Sequence, residues 1–438
     1  MFKLQVIWNL ILFTLRGVPR NRQTLERWQT RKLRSFLAYV KRRSPFFREA
    51  LAAAGDDWRQ LPLMNKQRFM DAFDTLNTAG IRKADALALA QEAEATREFS
   101  PEIHGITVGL STGTSGNRGV FLVSKAERAQ WAGMMFSRVA PITSLRRRKL
   151  AFFLRANSNL YSSVQSSVLE FGFFDLLHPV EANITKLGVF QPDILVAQPS
   201  MLRLIARAQA AGKIHIRPER IISVAEVLEP TDRAYCEDVF GQTLHQVYQC
   251  TEGFLAATCV HGTLHWNEDL IVLEKKYLDE TQTRYHPVIT DFTRTTQPVI
   301  RYELNDIIVP PVAPCPCGSP MEAIGHIEGR MDDVFWFRSA AGVPVAVFPD
   351  FVRRAVIRAD QAVSDYMVVQ EGPDTLALYL DDPLPADRIV QVHLELRSLL
   401  TSLGVMSVSI RDAGPLPPLG DTKLRRIRRM YHPDFLPK

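Results

Sequence analysis

The sequence predicts an α/β protein of two domains: a large N-terminal domain with parallel-rich βαβ sheets and a small C-terminal α+β domain. Three observations predict it. At 438 residues the chain is too long for one ordinary hydrophobic core. Between residues 190 and 250, short apolar runs alternate with amphipathic segments that each stop at a glycine, the signature of βαβαβ and a parallel sheet. After Met331 the texture changes to short β-like runs around one longer helical segment. The composition is that of a globular protein, with 23% charged and 46% hydrophobic residues. A formal net charge of +6 over so long a chain is too mild to indicate a nucleic-acid partner, and none is expected.

Taken in order, Val6 to Leu15 is mostly apolar but only ten residues long, too short to span a bilayer. Arg16, Arg20 and Arg22 follow, with no small-residue cleavage site. The segment reads either as a docked helix or as one in peripheral contact with a membrane surface. No other segment is a spanning candidate, so the chain reads as cytoplasmic. Residues up to Thr78 read as helical, with Leu33, Phe36, Leu37 and Val40 at helical spacing. Ile106 to Leu110 and Val120 to Val123 read as strands, and Ser124-Lys125-Ala126-Glu127 as a capping box that opens a helix. Next come a strand at Ile194 to Ala197, a helix from Met201 to Ala211 that stops at Gly212, and a strand at Ile221 to Val224. A helix from Thr231 to Phe240, stopped at Gly241, and a strand at Leu244 to Tyr248 complete the unit. Ligands of such sheets bind beyond the carboxyl ends of the strands, here Ala225-Glu226 and Tyr248 to Glu252. The tail holds β-like runs at Met367 to Val369, Leu376 to Leu380 and Val405 to Ile410, and a helix near Ala386 to Leu400. It ends in a Pro/Gly-rich loop and a basic run with Lys423.

Between the first two strands lies Ser111-Thr112-Gly113-Thr114-Ser115-Gly116-Asn117-Arg118-Gly119, with four hydroxyls and three glycines in nine residues. Glycine lets backbone approach a bulky anion, and hydroxyls and bared amides donate to phosphate oxygens. The run is not a GxxxxGK[ST] P-loop, and taken alone a polar hairpin explains it equally well. The five cysteines, an odd number, argue against a disulfide framework. Cys315-Pro316-Cys317-Gly318 points to metal, and Cys259, His265, Cys315 and Cys317 form a Cys₃His set suited to structural Zn²⁺, with His261 the alternative to His265.

Six segments in this order resemble the adenylate-forming superfamily, whose members activate carboxylic acids with ATP. They are Ser111 to Gly119, Ser223 to Glu226, Tyr248 to Glu252, Gln297 to Asp306, Gly329 to Asp333, and Gly420-Asp421-Thr422-Lys423. Ile300-Arg301-Tyr302, the Cys-Pro-Cys-Gly element and Val347-Phe348-Pro349 are most similar to the phenylacetate–CoA ligase branch and its coenzyme F420 adenylyltransferase relatives. The resemblance implies an adenylation domain over residues 1–330 and a domain over 331–438 carrying the catalytic lysine. It implies that Ser111, Thr112, Gly113, Thr114, Ser115 and Gly116 hold phosphates. Thr251 would bond the α-phosphate and Glu252 hold Mg²⁺. Tyr248, Ala225 and Glu226 would flank adenine, Asp306 accept from ribose, and Arg330 support ribose or phosphate. Asp332 would be the hinge between two half-reactions. Lys423 would neutralise charge between carboxylate and α-phosphate.

The implied reaction makes an acyl-adenylate and passes it to a thiol, coenzyme A or the phosphopantetheine of an acyl carrier protein. The alternatives are an adenylyltransferase leaving AMP on a cofactor hydroxyl and a catalytically silent nucleotide-binding protein. Departures from the family pattern are a phosphate loop one residue short, Gln249 after Tyr248, and Asn305 before Asp306. The aromatics Phe152, Phe153, Tyr161, Phe171, Phe173 and Phe174 read as an aryl-acid or fatty-chain pocket or, equally, as core. The sequence does not set the oligomeric state.

Overall fold

Local capping signals account for the start of the chain. The computed structural model describes residues 2–17, 19–96, 101–111, 119–139, 147–154, 169–359, 365–380, 385–417 and 425–435. Helices α1 (Phe2–Arg16), α2 (Arg22–Arg43), α3 (Pro45–Ala53), α4 (Lys66–Asp71), α5 (Phe73–Leu76) and α6 (Lys83–Thr96) open it. Asn21, Ser44 and Asn65 accept from the Thr24, Phe47 and Arg68 amides, satisfying donors that the first turns of α2, α3 and α4 leave open. Leu25, Leu33, Phe36 and Val40 form the buried stripe of α2. Arg16 and Arg22 reach buried acids far along the chain, Asp269 at 2.9 Å and Glu268 at 2.6 Å. Trp28 Nε1 donates to the Asp269 carbonyl at 2.8 Å. The helical segment is thereby anchored through groups that cannot be left unpaired once buried.

Strands β1 (Glu102–Ile103), β2 (Ile106–Leu110) and β3 (Val120–Ser124) form an antiparallel sheet, and α7 (Lys125–Val139) follows directly. The capping box is present: the Glu127 carboxylate accepts from the Ser124 amide at 2.7 Å, and Ser124 Oγ accepts from the Glu127 amide at 3.3 Å. The chain then winds β4 (Arg148–Leu154), β5 (Leu169–Asp175), α8 (Val180–Phe190), β6 (Ile194–Ala197), α9 (Pro199–Ala210), β7 (Arg220–Ser223), α10 (Pro230–Phe240) and β8 (Leu244–Cys250). The predicted βαβαβ unit is there, with β6, β7 and β8 parallel in sequence order. Gly212 follows α9 at φ +68°, and Gly241 caps α10 in the left-handed region at φ +64°, a conformation glycine adopts without strain.

Beyond β8 the sheet turns antiparallel through β9 (Gly253–Thr258) and β10 (Leu264–Trp266). A second antiparallel set holds β11 (Ile271–Tyr277), β12 (Tyr285–Asp291) and β13 (Val299–Glu303). With β14 (Asp306–Val309) and β15 (Ala323–Ile324) introduced, the large sheet reads β15-β10-β9-β8-β7-β6-β4-β5. Its helix-covered core is built from Phe153, Phe174, Leu195, Leu202, Ile205 and Ile221.

Two compact units divide the chain: residues 1–304 with 309–326, and residues 305–308 with 327–438. In the second, β16 (His326–Arg330) neighbours β14. The hairpin β17 (Phe335–Arg338) and β18 (Pro344–Val347) comes next, then α11 (Pro349–Ala359). Strands β19 (Tyr366–Gly372), β20 (Thr375–Leu380), β21 (Ser409–Asp412) and β22 (Ile427–Arg429) form a sheet in the order β21-β20-β19-β22, with α12 (Ala386–Ser402) between β20 and β21. Phe335, Phe337, Val356, Val368, Leu378, Val392 and Leu396 fill the core of this α+β unit.

Candidate active site

Thr251 and Glu252 are the turn between β8 and β9, whose closing pair is Cys250 and Gly253. The Thr251 hydroxyl donates to the Glu252 carboxylate at 2.9 Å. The Tyr302 hydroxyl also bonds Glu252. Burial, and then the Glu252 charge, push the Tyr302 phenol above its ordinary range, so it stays a donor. Behind the turn Gly253 leaves no room for a side chain, since a Cβ would stand 2.4 Å from Asp291 Oδ2. In front of it opens a shallow recess lined by Lys66, Ser111, Gly119, Thr251, Glu252 and Arg294, among others. The base of the hydroxyl-rich loop is pinched shut there. The Ser111 amide donates to the Gly119 carbonyl at 2.7 Å, and the Gly119 amide donates to Ser111 Oγ at 2.8 Å. Two segments about 140 residues apart in sequence thus meet at one concave surface.

The Gln297 to Tyr302 segment is the scaffold of this recess. Gln297 Oε1 accepts from the Leu122 amide at 2.9 Å, and its Nε2 donates to the Val120 carbonyl at 3.3 Å, so its amide pairs with β3 as backbone would. Glu127 accepts from the Thr295 and Thr296 amides at 2.6 and 2.8 Å while its other oxygen serves the capping box. Burial opposes the Glu127 charge, but Arg294 and these donors outweigh it and hold the carboxyl below its ordinary range. Arg301, at φ +48°, pairs with Glu274 and donates to the Leu61 carbonyl at 2.5 Å, stapling the segment before α4. Met64 and Tyr302 form a bridge beside it, and the Tyr302 ring meets Phe69 edge-on at 5.4 Å. Lys66 is delivered to the recess this way.

Other predicted residues sit at strand ends. Ala225 follows β7 at φ +69°, a left-handed conformation that a non-glycine residue adopts only when its surroundings impose it. Glu226 accepts from the Ser200 amide in the first turn of α9 at 3.4 Å. Tyr248, half-buried, packs edge-on against the buried Trp266 at 5.7 Å. In the second unit Arg330 pairs with Asp306 at 3.4 Å. Asn305 donates to Asp332 Oδ2 at 2.6 Å, so the residue that departs from the family pattern bonds the expected hinge residue. Thr112, Gly113, Thr114, Ser115, Gly116, Tyr161 and Lys423 lie outside the described residues. Of the predicted pocket aromatics, Phe153 and Phe174 are core and stack at 4.7 Å. Phe152, Phe171 and Phe173 are half-buried on the opposite side of β4 and β5.

The four predicted metal-ligand atoms, from Cys259, His265, Cys315 and Cys317, lie within 4.8 Å of one another. Cys259 Sγ and Cys315 Sγ are 3.7 Å apart, and Cys317 Sγ is 3.3 Å from His265 Nε2. Two thiolates each about 2.3 Å from a tetrahedral zinc stand about 3.8 Å apart, so the spacing fits. His265 Nδ1 faces the Met321 carbonyl at 2.8 Å, which fixes its proton there and turns the Nε2 lone pair towards the thiols. His261 is exposed and outside the cluster.

No family model matches the chain. A phenylacetate–coenzyme A ligase of Thermus thermophilus is 21% identical, covering 93% of this chain and 96% of its own length. The structure of 2-hydroxyisobutyryl-CoA ligase in its postadenylation state superposes with a TM-score of 0.64 at 16% identity, over 93% of this chain and 89% of that one. The chain has the fold of adenylate-forming ligases. In sequence, the likeness that runs over nearly the full length is to a phenylacetate–CoA ligase. The same fold, at a TM-score of 0.51 and 15% identity over 72% of this chain and 67% of the other, carries the amide bond synthetase McbA of Marinactinospora thermotolerans. The adenylate-forming fold therefore does not by itself fix the acceptor. Sequence reasoning missed Lys66, Arg294, Asp291 and the supporting roles of Glu127 and Gln297. Of these only the capping-box half of Glu127 left a local signal, because the other partners are distant in sequence.

Proposed function

We propose that the protein activates a carboxylic acid with ATP as an acyl-adenylate and transfers the acyl group to a thiol, releasing AMP and pyrophosphate. The recess that unites Ser111, Gly119, Thr251 and Glu252 supports this reading most. Attack of the carboxylate on the α-phosphate builds negative charge while pyrophosphate departs, so the step needs donors and cations preset around the phosphorus. Thr251 supplies a hydroxyl, Lys66 and Arg294 supply positive charge, and the loop from Thr112 to Gly116 supplies amides and hydroxyls. Glu252, an oxygen donor held by Thr251 and Tyr302, suits Mg²⁺, which when bound would neutralise phosphate charge. Tyr248, Ala225 and Glu226 are assigned to adenine, Asp306 and Arg330 to ribose, Asp332 to the hinge and Lys423 to the carboxylate–phosphate contact. In the second step a thiol sulfur attacks the acyl carbon, loses its proton, and AMP leaves.

The half-buried Phe152, Phe171 and Phe173 favour an aryl acid. Coenzyme A is the favoured acceptor, with a carrier-protein phosphopantetheine as the other thiol of the same chemistry. The Cys259–His265–Cys315–Cys317 cluster is assigned to a structural Zn²⁺ that ties the β9–β10 hairpin to the 315–317 loop. A panel of carboxylic acids scored by pyrophosphate release, with and without coenzyme A, tests the proposal. Acid-dependent release supports it. AMP retained on a product without acid would instead mark an adenylyltransferase.

A further inference from the structure

Helix α1 has two apolar faces, and among the described residues only one is covered. Phe2, Val6, Leu10 and Phe13 lie towards the protein, with Val6 buried in a cluster shared with Ala129 and Ala132 of α7. The approach is close: a Cβ on Gly133 would stand 2.5 Å from the Asn9 side chain and 2.7 Å from the Leu10 amide nitrogen. At about 100° per residue, Leu4, Ile7, Trp8, Ile11, Leu12 and Leu15 form the opposite face. All six are exposed, from 44% for Ile11 and Leu12 to 81% for Leu15. The polar Lys3, Gln5, Thr14 and Arg16 fall at the seams between the two faces. The Arg16 pairing with buried Asp269 fixes which way the helix faces.

Charge singles out the occupant. Residues 1–43 contain eleven lysines and arginines and one acid, Glu26, a net +10. The remaining chain has 42 basic and 46 acidic residues, a net −4. At the end of α1 the cations crowd together, with Arg16, Arg31 and Lys32 at 3.6, 5.0 and 4.7 Å from the centre of the Trp28 ring. Arg20, Arg27 and Arg34 are exposed on the same segment. No described helix is long and apolar enough to cross a membrane. Exposed leucine, isoleucine and tryptophan on a short helix beside a dense basic field are the requirements of a helix lying in a lipid interface.

We propose that α1 docks this protein on an anionic membrane surface. Leu4, Ile7, Trp8, Ile11, Leu12 and Leu15 enter the headgroup boundary, and the exposed Lys3, Arg20, Arg27 and Arg34 meet the lipid phosphates. The test is cosedimentation of the full chain with vesicles of phosphatidylcholine and phosphatidylglycerol, against vesicles of phosphatidylcholine alone. Binding to the anionic vesicles is expected, with a loss of about tenfold or more without the anionic lipid or in high salt. Leu12→Asp with Leu15→Asp should lose binding by a similar factor while keeping the thermal midpoint, since both side chains are exposed. Arg27→Glu with Arg34→Glu should weaken binding and flatten its salt dependence. Absence of vesicle binding, or equal binding by the leucine variant, would overturn the proposal. So would a self-association that the leucine variant abolishes in a protein that ignores vesicles, which would give the face to a second copy.

Discussion

Asp291 and Gly253 show how single residues shape the site. Burial pushes the Asp291 carboxyl up to about 6, against the donors from Thr293 and the charge of Arg294. A carboxyl raised in the folded state contributes stability that is complete below its unfolded value near 3.8 and lost as pH rises through about 6. Asp291→Asn should therefore gain on the wild type between pH 4 and 6, by up to about 3 kcal/mol. Denaturant titrations of both proteins across that range measure the difference, and a pH-independent difference would contradict it. Gly253→Ala forces a methyl against Asp291, which Thr293 pins from the amide and the hydroxyl. A loss of about 1–3 kcal/mol is expected, read as a lower denaturant midpoint. Asp291 left no trace in the sequence, because a buried carboxyl far from any motif looks like an ordinary strand residue.

At the scale of elements, the ties between β3, α7 and the 295–302 segment set the recess. Glu127→Ala would leave the Thr295 and Thr296 amides and Arg294 without their buried acceptor, an expected cost of about 3–5 kcal/mol. Gln297→Ala removes only neutral bonds to Leu122 and Val120 and should cost about 1–3 kcal/mol. Thermal or denaturant unfolding of the two variants should preserve that order. The cysteine cluster belongs to the same scale. Protein purified without chelator should carry about one zinc per chain, and Cys315→Ser should lower both zinc content and thermal midpoint. Metal-free protein of unchanged stability would remove that assignment. The elements from Ile194 to Tyr248 and the start of α7 were legible, since capping boxes, stop glycines and apolar periods are local; the strands between Gly253 and Arg330 were not read. The contacts between them were not, because Gln297 meets Leu122 across 175 positions with no shared pattern.

For the whole molecule, the βαβαβ unit was readable because each step joins neighbours in the chain. The order of the eight-stranded sheet, with β15 at one edge and β5 at the other, depends on pairings that sequence periods do not encode. The ordered motifs supplied the resemblance, and the structure added the recess where the first and third of them meet. The function proposed for the two units makes Lys423 essential in only one half-reaction. Lys423→Ala should abolish adenylate formation yet spare thiolation of a supplied acyl-adenylate, and equal loss of both would contradict its role. The most direct test of the central claim is exchange of labelled pyrophosphate into ATP, run with a carboxylic acid and no thiol. The account predicts exchange that requires the acid and Mg²⁺ and falls about 100-fold or more in Glu252→Gln. Exchange that proceeds without any acid, or that survives unchanged in Glu252→Gln, would contradict it.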